Sequence, residues 1–397
     1  RIFKDIKKLV NILFRTIAIL VFLLVVFFLL IQVKSVQTFL AKKTTAYLAD
    51  RLGTKVDIGR VEIEFFKTLV LNDVYIEDLH KDTLLYSKKL KVDIGSFDLE
   101  NHKIYIKNIS LLETKAALVK YAADDDFNYQ FIIDAFESKE KSTKKQTPWD
   151  VRVEEIMLIN SDFAYKNEHD TLNTTGVNYF DLHTRAINGK FKNLQIDHDT
   201  IFASIDHLST VEKSGFILSS ISSSRVKVNA VEMKATDLKI KTPHSDIATD
   251  LTFAYSRYRD YYDFIDRVKM KAQFNHSQLE MDDIAYFAPE LKGMTQKLII
   301  SGKVSGKVND LRGNDVTISF GEVTKFQGDI SLTGLPEIDE TVTHLTIKNL
   351  ITNYADLKEI PVPPFERKQK LNVSPEIQKL GKMRFKGTFT GLYNDFY

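Results

Sequence analysis

The sequence predicts a mainly β protein: one membrane-spanning helix at the N-terminus, a short amphipathic helix, and then an elongated antiparallel β structure. Three observations carry this. An apolar run fills residues 12–33, a helical pattern occupies 36–52, and strand-like alternation of apolar and polar residues continues from Lys55 to the end of the 397-residue chain.

The run from Ile12 to Val33 has no charged residue between Thr16 and Ile31 and is interrupted only by Arg15. About 20 such residues match ~30 Å of hydrocarbon, so Ile12, Leu20, Phe27, Phe28 and Ile31 are candidate anchor residues. A cleaved leader would have a shorter apolar core and a small-residue cleavage site, and a buried helix would keep a polar stripe; this run has neither feature. Arg1, Lys4, Lys7, Lys8 and Arg15 against Asp5 place residues 1–11 in the cytoplasm by the positive-inside rule.

Charge divides the chain unevenly. The first 52 residues carry nine basic and two acidic side chains, +7; subtracting this from the total of +2 leaves −5 on the remaining 345. A mildly acidic bulk argues against a nucleic-acid partner, and the basic end suits anionic head groups. With no cysteine, neither a disulfide framework nor a thiolate site is possible.

Val36 to Leu52 places Val36, Phe39, Leu40, Tyr47, Leu48 and Leu52 on one helical face, opposite Lys42, Lys43, Asp50 and Arg51, and Gly53 stops the helix. Such a helix either caps a sheet or lies in the bilayer interface; the apolar strands that follow favour the cap. Residues 53–137 form a first strand-rich part in which KVDIGRVEIEF, LVLNDVYIED, KLKVDIG, KIYIKNISL and NYQFIID alternate. Ser138–Thr147 is a charged loop, and residues 148–397 continue the strands. Asp282–Leu291 predicts a short helix with Asp at its N-cap, PVPP at 361–364 an irregular crossing, and Gly302, Gly306, Gly387 and Gly391 bulges or bends. FAYSRYRDYYDF (253–264) reads as a strand edge and hairpin, and SSISSSR (219–225) as a strand-to-turn segment. If ~30 strands stacked ~4.8 Å apart, the β region would extend on the order of 140 Å, about half that in two layers.

No chemistry-bearing motif emerges. The nine histidines are scattered, and no zinc-binding, nucleophile-elbow or phosphate-loop pattern occurs, so no enzyme, cofactor or metal is expected. Asp124, Asp125 and Asp126 read as a solvated turn before a calcium site. What remains is an apolar stripe: Val56, Ile58, Val61, Ile63, Phe65, Leu69, Leu71, Val74, Ile76, Leu90, Val92, Ile94, Ile104 and Ile106 share one face. Ordinary sandwich packing and an open apolar trough both produce such a stripe; the shortage of helices to cover it favours the trough.

Several segments resemble the AsmA-like superfamily, most closely the TamB family of Bacteroidota-type Gram-negative bacteria. They are Leu52–Asp78, Asp82–Tyr121, FNYQFIIDAF (127–136), EKSGFIL (212–218), DIAYFAPELKG (283–293) and GTFTGLYNDF (387–396). These are signatures of fold, not of catalysis. The resemblance implies a β-taco groove that begins at the inner membrane and runs through the periplasm. It also implies phospholipid as cargo and an outer-membrane Omp85-family partner of the TamA or BamA class, reached through a C-terminal region not in this sequence. On that reading the chain is the front portion of a longer polypeptide that conducts lipid along the groove. The alternatives are an interaction protein that assists outer-membrane β-barrel assembly by strand augmentation, and a plain scaffold between membranes.

Overall fold

The computed structural model describes residues 33–64, 67–98, 100–136, 150–170, 176–197, 199–392 and 395. The expected anchor residues Ile12, Leu20, Phe27, Phe28 and Ile31, the stripe residue Phe65 and the loop 138–147 lie outside them. No helix among the described residues is long and apolar enough to cross a membrane.

Helix α1 (Lys34–Leu52) ends at Gly53, which adopts the left-handed conformation (φ 66°) and donates its N–H to the Ala49 carbonyl. Sixteen strands follow among the described residues: β1 (Val56–Glu64), β2 (Thr68–Glu77), β3 (Thr83–Asp98), β4 (Lys103–Lys120), β5 (Asp150–Asn167), β6 (Asp181–Asp197), β7 (Thr200–Glu212) and β8 (Ile217–Val228). They continue as β9 (Glu232–Lys241), β10 (Asp246–Ala254), β11 (Lys269–Glu280), β12 (Lys297–Lys307), β13 (Asp310–Phe320), β14 (Thr324–Thr333), β15 (Val342–Thr352) and β16 (Met383–Gly391). All belong to one sheet in strict chain order, which does not close, since β1 and β16 are its two edges.

Strand number and direction both differ from the sequence reading. Strands of up to 18 residues replace the expected short ones, so 16 strands give a sheet ~72 Å across, not 140 Å. Periodicity marks where strands are, but it cannot count them when two short alternating runs join through a bulge. Every neighbouring pair is antiparallel except β4 and β5, which are parallel. The chain therefore leaves β4 and returns to the opposite end of the sheet through residues 121–149. NYQFIID, expected as a strand, lies on that return path as helix α2 (Gln130–Phe136), which touches α1.

Three further segments depart from expectation. Tyr258–Asp263 and Phe264–Arg267 are helical turns between β10 and β11, not a strand edge, because the buried Asp260 carboxylate accepts the N–H groups of Ser256 and Arg257 and curls the chain. SSISSSR lies in the middle of β8. The short helix near 282 is Met281–Ala285, with Asp282 in its first turn and not at its N-cap, followed by a turn at Pro289–Leu291.

Two lines of irregularity cross the sheet. Ile58 and Val61, three residues apart in β1, both pack in one cluster with Ala41 of α1. Residues three apart in a regular strand face opposite sides, so the alternation slips at Gly59–Arg60. Matching slips follow in β2, β4, β5 and β6 at residues with positive φ, Asp73 (52°), Glu113 (46°), Asn160 (46°) and Ala186 (51°); a second line, nearer the upper rim in β6, runs from Asn193 (53°) to Asp237 (49°), His276 (45°) and Asp315 (50°) in β9, β11 and β13. In β12 the position is taken by Gly302 (121°).

Neighbouring strands satisfy the backbone groups that the slip releases. The N–H of Asn160 donates to Asn188 Oδ1 (3.0 Å), that of Asp237 to Asp250 Oδ1 (2.8 Å), that of His276 to Ser301 Oγ (3.0 Å) and that of Asp315 to Asp329 Oδ1 (2.7 Å). Small buried residues line both: Ser87, Thr114 and Ser161 the first, Ser223 and Ser277 the second. Bulges along these two lines bend the strands and crease the sheet.

We call the end at which β1 begins the lower rim and the opposite end the upper rim. Buried carboxylates brace the lower rim. Asp78 accepts from the N–H of His80 and Asp82, the Tyr121 hydroxyl and Asn128 Nδ2; Asp283 accepts from the hydroxyls of Thr242 and Ser245. Asp356 accepts from the N–H of Glu322, Val323 and Thr324 and from Thr324 Oγ1. Burial works to raise the Asp356 pKa, but these donors outweigh it and hold the carboxyl below its ordinary value.

A candidate apolar groove

With the slip taken into account, apolar residues fall into rows that run across strands. One row joins Val61, Leu71, Leu90, Leu111, Leu158, Gly189, Leu208, Ile221, Ile240 and Ile247, each opposite the next from β1 to β10. Gly189 does not leave a gap, because Leu208 and Phe191 close over it. A second row runs Ile63, Leu69, Val92, Ile109, Ile156, Phe191 and Ile205.

The longest row lies nearest the upper rim. It begins at Phe97 and passes through Ile104, Val151, Ile196, Ile201, Val228, Met233, Phe253, Met270, Gly306 and Leu311 to Leu332 in β14. The eleven steps between these twelve strands span ~53 Å.

These rows are not buried as a core. No leucine, isoleucine or phenylalanine is among the largest fully buried side chains of the described residues; the hydrophobic ones in that group are Val70, Val268 and Val316. Most row members are half-exposed, and Phe97, Ile196 and Ile201 are exposed. The opposite face carries cross-strand ion pairs: Glu64 with Lys91 (3.1 Å), Glu155 with Lys190 (2.8 Å) and Lys227 with Glu232 (2.7 Å). One face is thus wet and charged, while the other is apolar and largely uncovered.

The stripe read from the sequence divides three ways. Val56, Ile58, Val61 and Val74 are buried, and Ile58 and Val61, with Leu69 and Leu71 beside them, pack against Ala41 and Leu48 of α1. At β1 and β2 the apolar face is therefore covered by the helix. Ile63, Ile76, Leu90, Val92, Ile104 and Ile106 are half-exposed, and Ile94 is exposed. The stripe expected from the sequence ends at Ile106 and leaves out the larger part of the rows. The signal was present: β4 and β5 share a spacing of two, three, two, three, two, as in Ile104, Ile106, Ile109, Leu111, Thr114, Ala116 and Val151, Val153, Ile156, Leu158, Ser161, Phe163.

Aromatic rings link the two rims. Alternating strand directions from β6 to β10 put Phe180, just before β6, at the lower rim, and the turn between β10 and β11 at the upper rim. Tyr262 of that turn stacks on Phe180, with ring centroids 5.8 Å apart. Burial, and then its hydrogen bond to Tyr262, pushes the pKa of Tyr165 up to about 12. Phe127 packs on Tyr165 from the lower side, while Tyr255, Tyr261 and Phe264 support the turn from above.

These features define an open, creased β-sheet protein whose apolar face is covered by α1 at β1 and β2 and open beyond them. Comparisons with family models, with curated proteins and with solved structures return no match for the chain.

Proposed function

We propose that the chain is a segment of a lipid-transfer conduit. Phospholipid tails lie along the apolar rows of a β-taco groove while head groups stay in water. The observation that carries the reading is the set of apolar rows, up to twelve strands long and interrupted only by Gly189 and Gly306, that beyond β2 no core closes over. Each CH₂ withdrawn from water contributes about 0.8 kcal/mol, so an acyl chain gains far more from such a row than a polar ligand would. Movement along the rows is diffusive and needs no catalytic group.

The resemblance to the TamB family supports this reading and supplies its setting: a single-pass protein of the Gram-negative inner membrane, anchored by residues 12–33, with its bulk in the periplasm. An Omp85-family partner at the outer membrane belongs to the same proposal. The test is a photo-crosslinker at Ile109 or Ile156, compared with the outward-facing Asn108 or Glu155. Preferential phospholipid capture at the inward pair is the expected result, and equal labelling defeats the proposal.

A second reading rests on β1, which among the described residues pairs only with β2. Its free edge suits strand augmentation of an unfolded β-barrel protein. That function would survive a charge placed at Ile156, whereas lipid transfer would not.

A further inference from the structure

The hairpin tip between β3 and β4 and the start of α1 project from the same rim. Three residues join α1 to β1, and Ala41 packs in one cluster with Val61. At ~1.5 Å per helical residue and ~3.3 Å per strand residue, Leu52 to Ala41 and Val56 to Val61 are each about 16 Å. The helix therefore runs antiparallel to β1, and its first residue, Lys34, reaches the upper rim. There β1 and β2 turn back, and the Ile94 N–H donates to the Lys67 carbonyl (2.8 Å). Beyond that level β3 and β4 continue without them as far as Asp98 and Lys103, roughly 13 Å further.

This projecting tip is apolar on its inner side. Ile94 is 38% and Phe97 55% exposed, and Phe97 is the first member of the longest apolar row. The outward side of α1 shows Phe39 and Tyr47, 58% and 62% exposed, with Lys43 between them and its Nζ 5.9 Å from the Phe39 ring centroid. Aromatic rings flanked by lysine suit the boundary between head groups and acyl chains. Directly before α1 in the sequence stands the uncharged run 16–31.

We propose that the β3–β4 tip is a membrane-contact surface. It seats on the same phospholipid bilayer that the apolar run enters, and it passes acyl chains into the upper row. The occupant is a bilayer and not a protein, because an uncharged 16-residue run directly precedes, in sequence, the rim end of α1 from which an exposed apolar tip also projects, and a lipid slab accommodates both. Entry belongs at the tip because α1 covers the apolar face of β1 and β2, so this is the first place along the sheet where that face is open. The lipid-entry step rests on the conduit reading; the membrane contact does not.

The absence of cysteine makes single-site labelling clean. The full chain, reconstituted in phosphatidylcholine vesicles that contain spin-labelled lipid, carries a fluorophore at Phe97→Cys, at Ile94→Cys or at Lys307→Cys. Lys307 lies on the same rim, nine strands further on, roughly 43 Å away measured across the sheet. The tip labels should be quenched severalfold more than the label at 307. Quenching of neither tip label above the level at 307 overturns the membrane contact. In a second arm, I94D/F97D is combined with the photo-crosslinker at Ile156, and severalfold loss of lipid capture is expected. Unchanged capture overturns the tip as the point of entry. No capture in the otherwise unaltered chain refutes the conduit reading instead and leaves the quenching result to decide the contact.

Discussion

Tyr262 and Phe180 stack on one another from opposite ends of the strands, although four strands lie between β5 and β10 in the sheet. A flat sheet would hold these ends well apart. Their contact shows that coiling of the sheet, added to the crease, brings a lower corner and an upper corner together.

Cysteines at 180 and 262 should react with one short bismaleimide to give an intramolecular crosslink, visible as an altered mobility on a gel. A chain with cysteines at 180 and 307 should not crosslink. Equal yields for both pairs would show that the rims are not specifically apposed.

Gly302 occupies the crease with φ 121°, and an added Cβ would approach the Val316 Cα to 2.7 Å and the Asp315 carbonyl oxygen to 2.8 Å. Gly302→Ala should cost about 2–4 kcal/mol, from strain and from the displaced β13 backbone. Gly381, also at positive φ (64°), has nothing within 4 Å of its would-be Cβ, so Gly381→Ala should cost only about 1 kcal/mol. Chemical denaturation of the two variants side by side makes the comparison.

Asp356 has a depressed pKa, so its stabilising contribution is full above the ordinary carboxylate range, near pH 4, and falls away as pH drops below it. Asp356→Asn should remove most of that acid dependence. It should also speed hydrogen exchange at Val323 and Thr324, whose N–H groups lose a charged acceptor. An unchanged pH profile would show that another group controls the lower rim in acid.

Helix α1 shields β1, so a photo-crosslinker at Val61 should capture little lipid where one at Ile156 captures much. Ala41→Glu places a charge in the cluster of Ile58 and Val61 and should unseat the helix, raising capture at Val61. Equal capture at Val61 and Ile156 in the unaltered chain would mean that α1 does not cover the face.

The β character of the fold was legible because alternation survives in every strand, and α1 because Gly53 ends a clear helical pattern. The crease was harder to see. A period-two reading treats Ile58 and Val61 as neighbours on one face without asking how three residues keep them there, and the answer lies in the backbone of Gly59 and Asp73. α2 was lost because NYQFIID alternates like a strand, while Asn128, bonded to Val119 and Asp78, turns the chain away from the sheet. The ring bridge was beyond any local pattern, since residues 180 and 262 meet only through the curvature of the intervening strands.

The strict chain order of the sheet has a consequence for how such a protein changes length. From β5 onward each strand lies between its predecessor and successor in sequence, so a hairpin can be gained or lost as one unit. Each such event alters the span by about 10 Å and leaves the two flanking strands able to pair with each other in the original sense. Loss or gain of a single residue inside a strand is a different matter, because it turns over half of that strand and breaks every row passing through it. Duplication and deletion by whole hairpins is therefore the route by which a sheet of this kind changes its span while its rows stay in line.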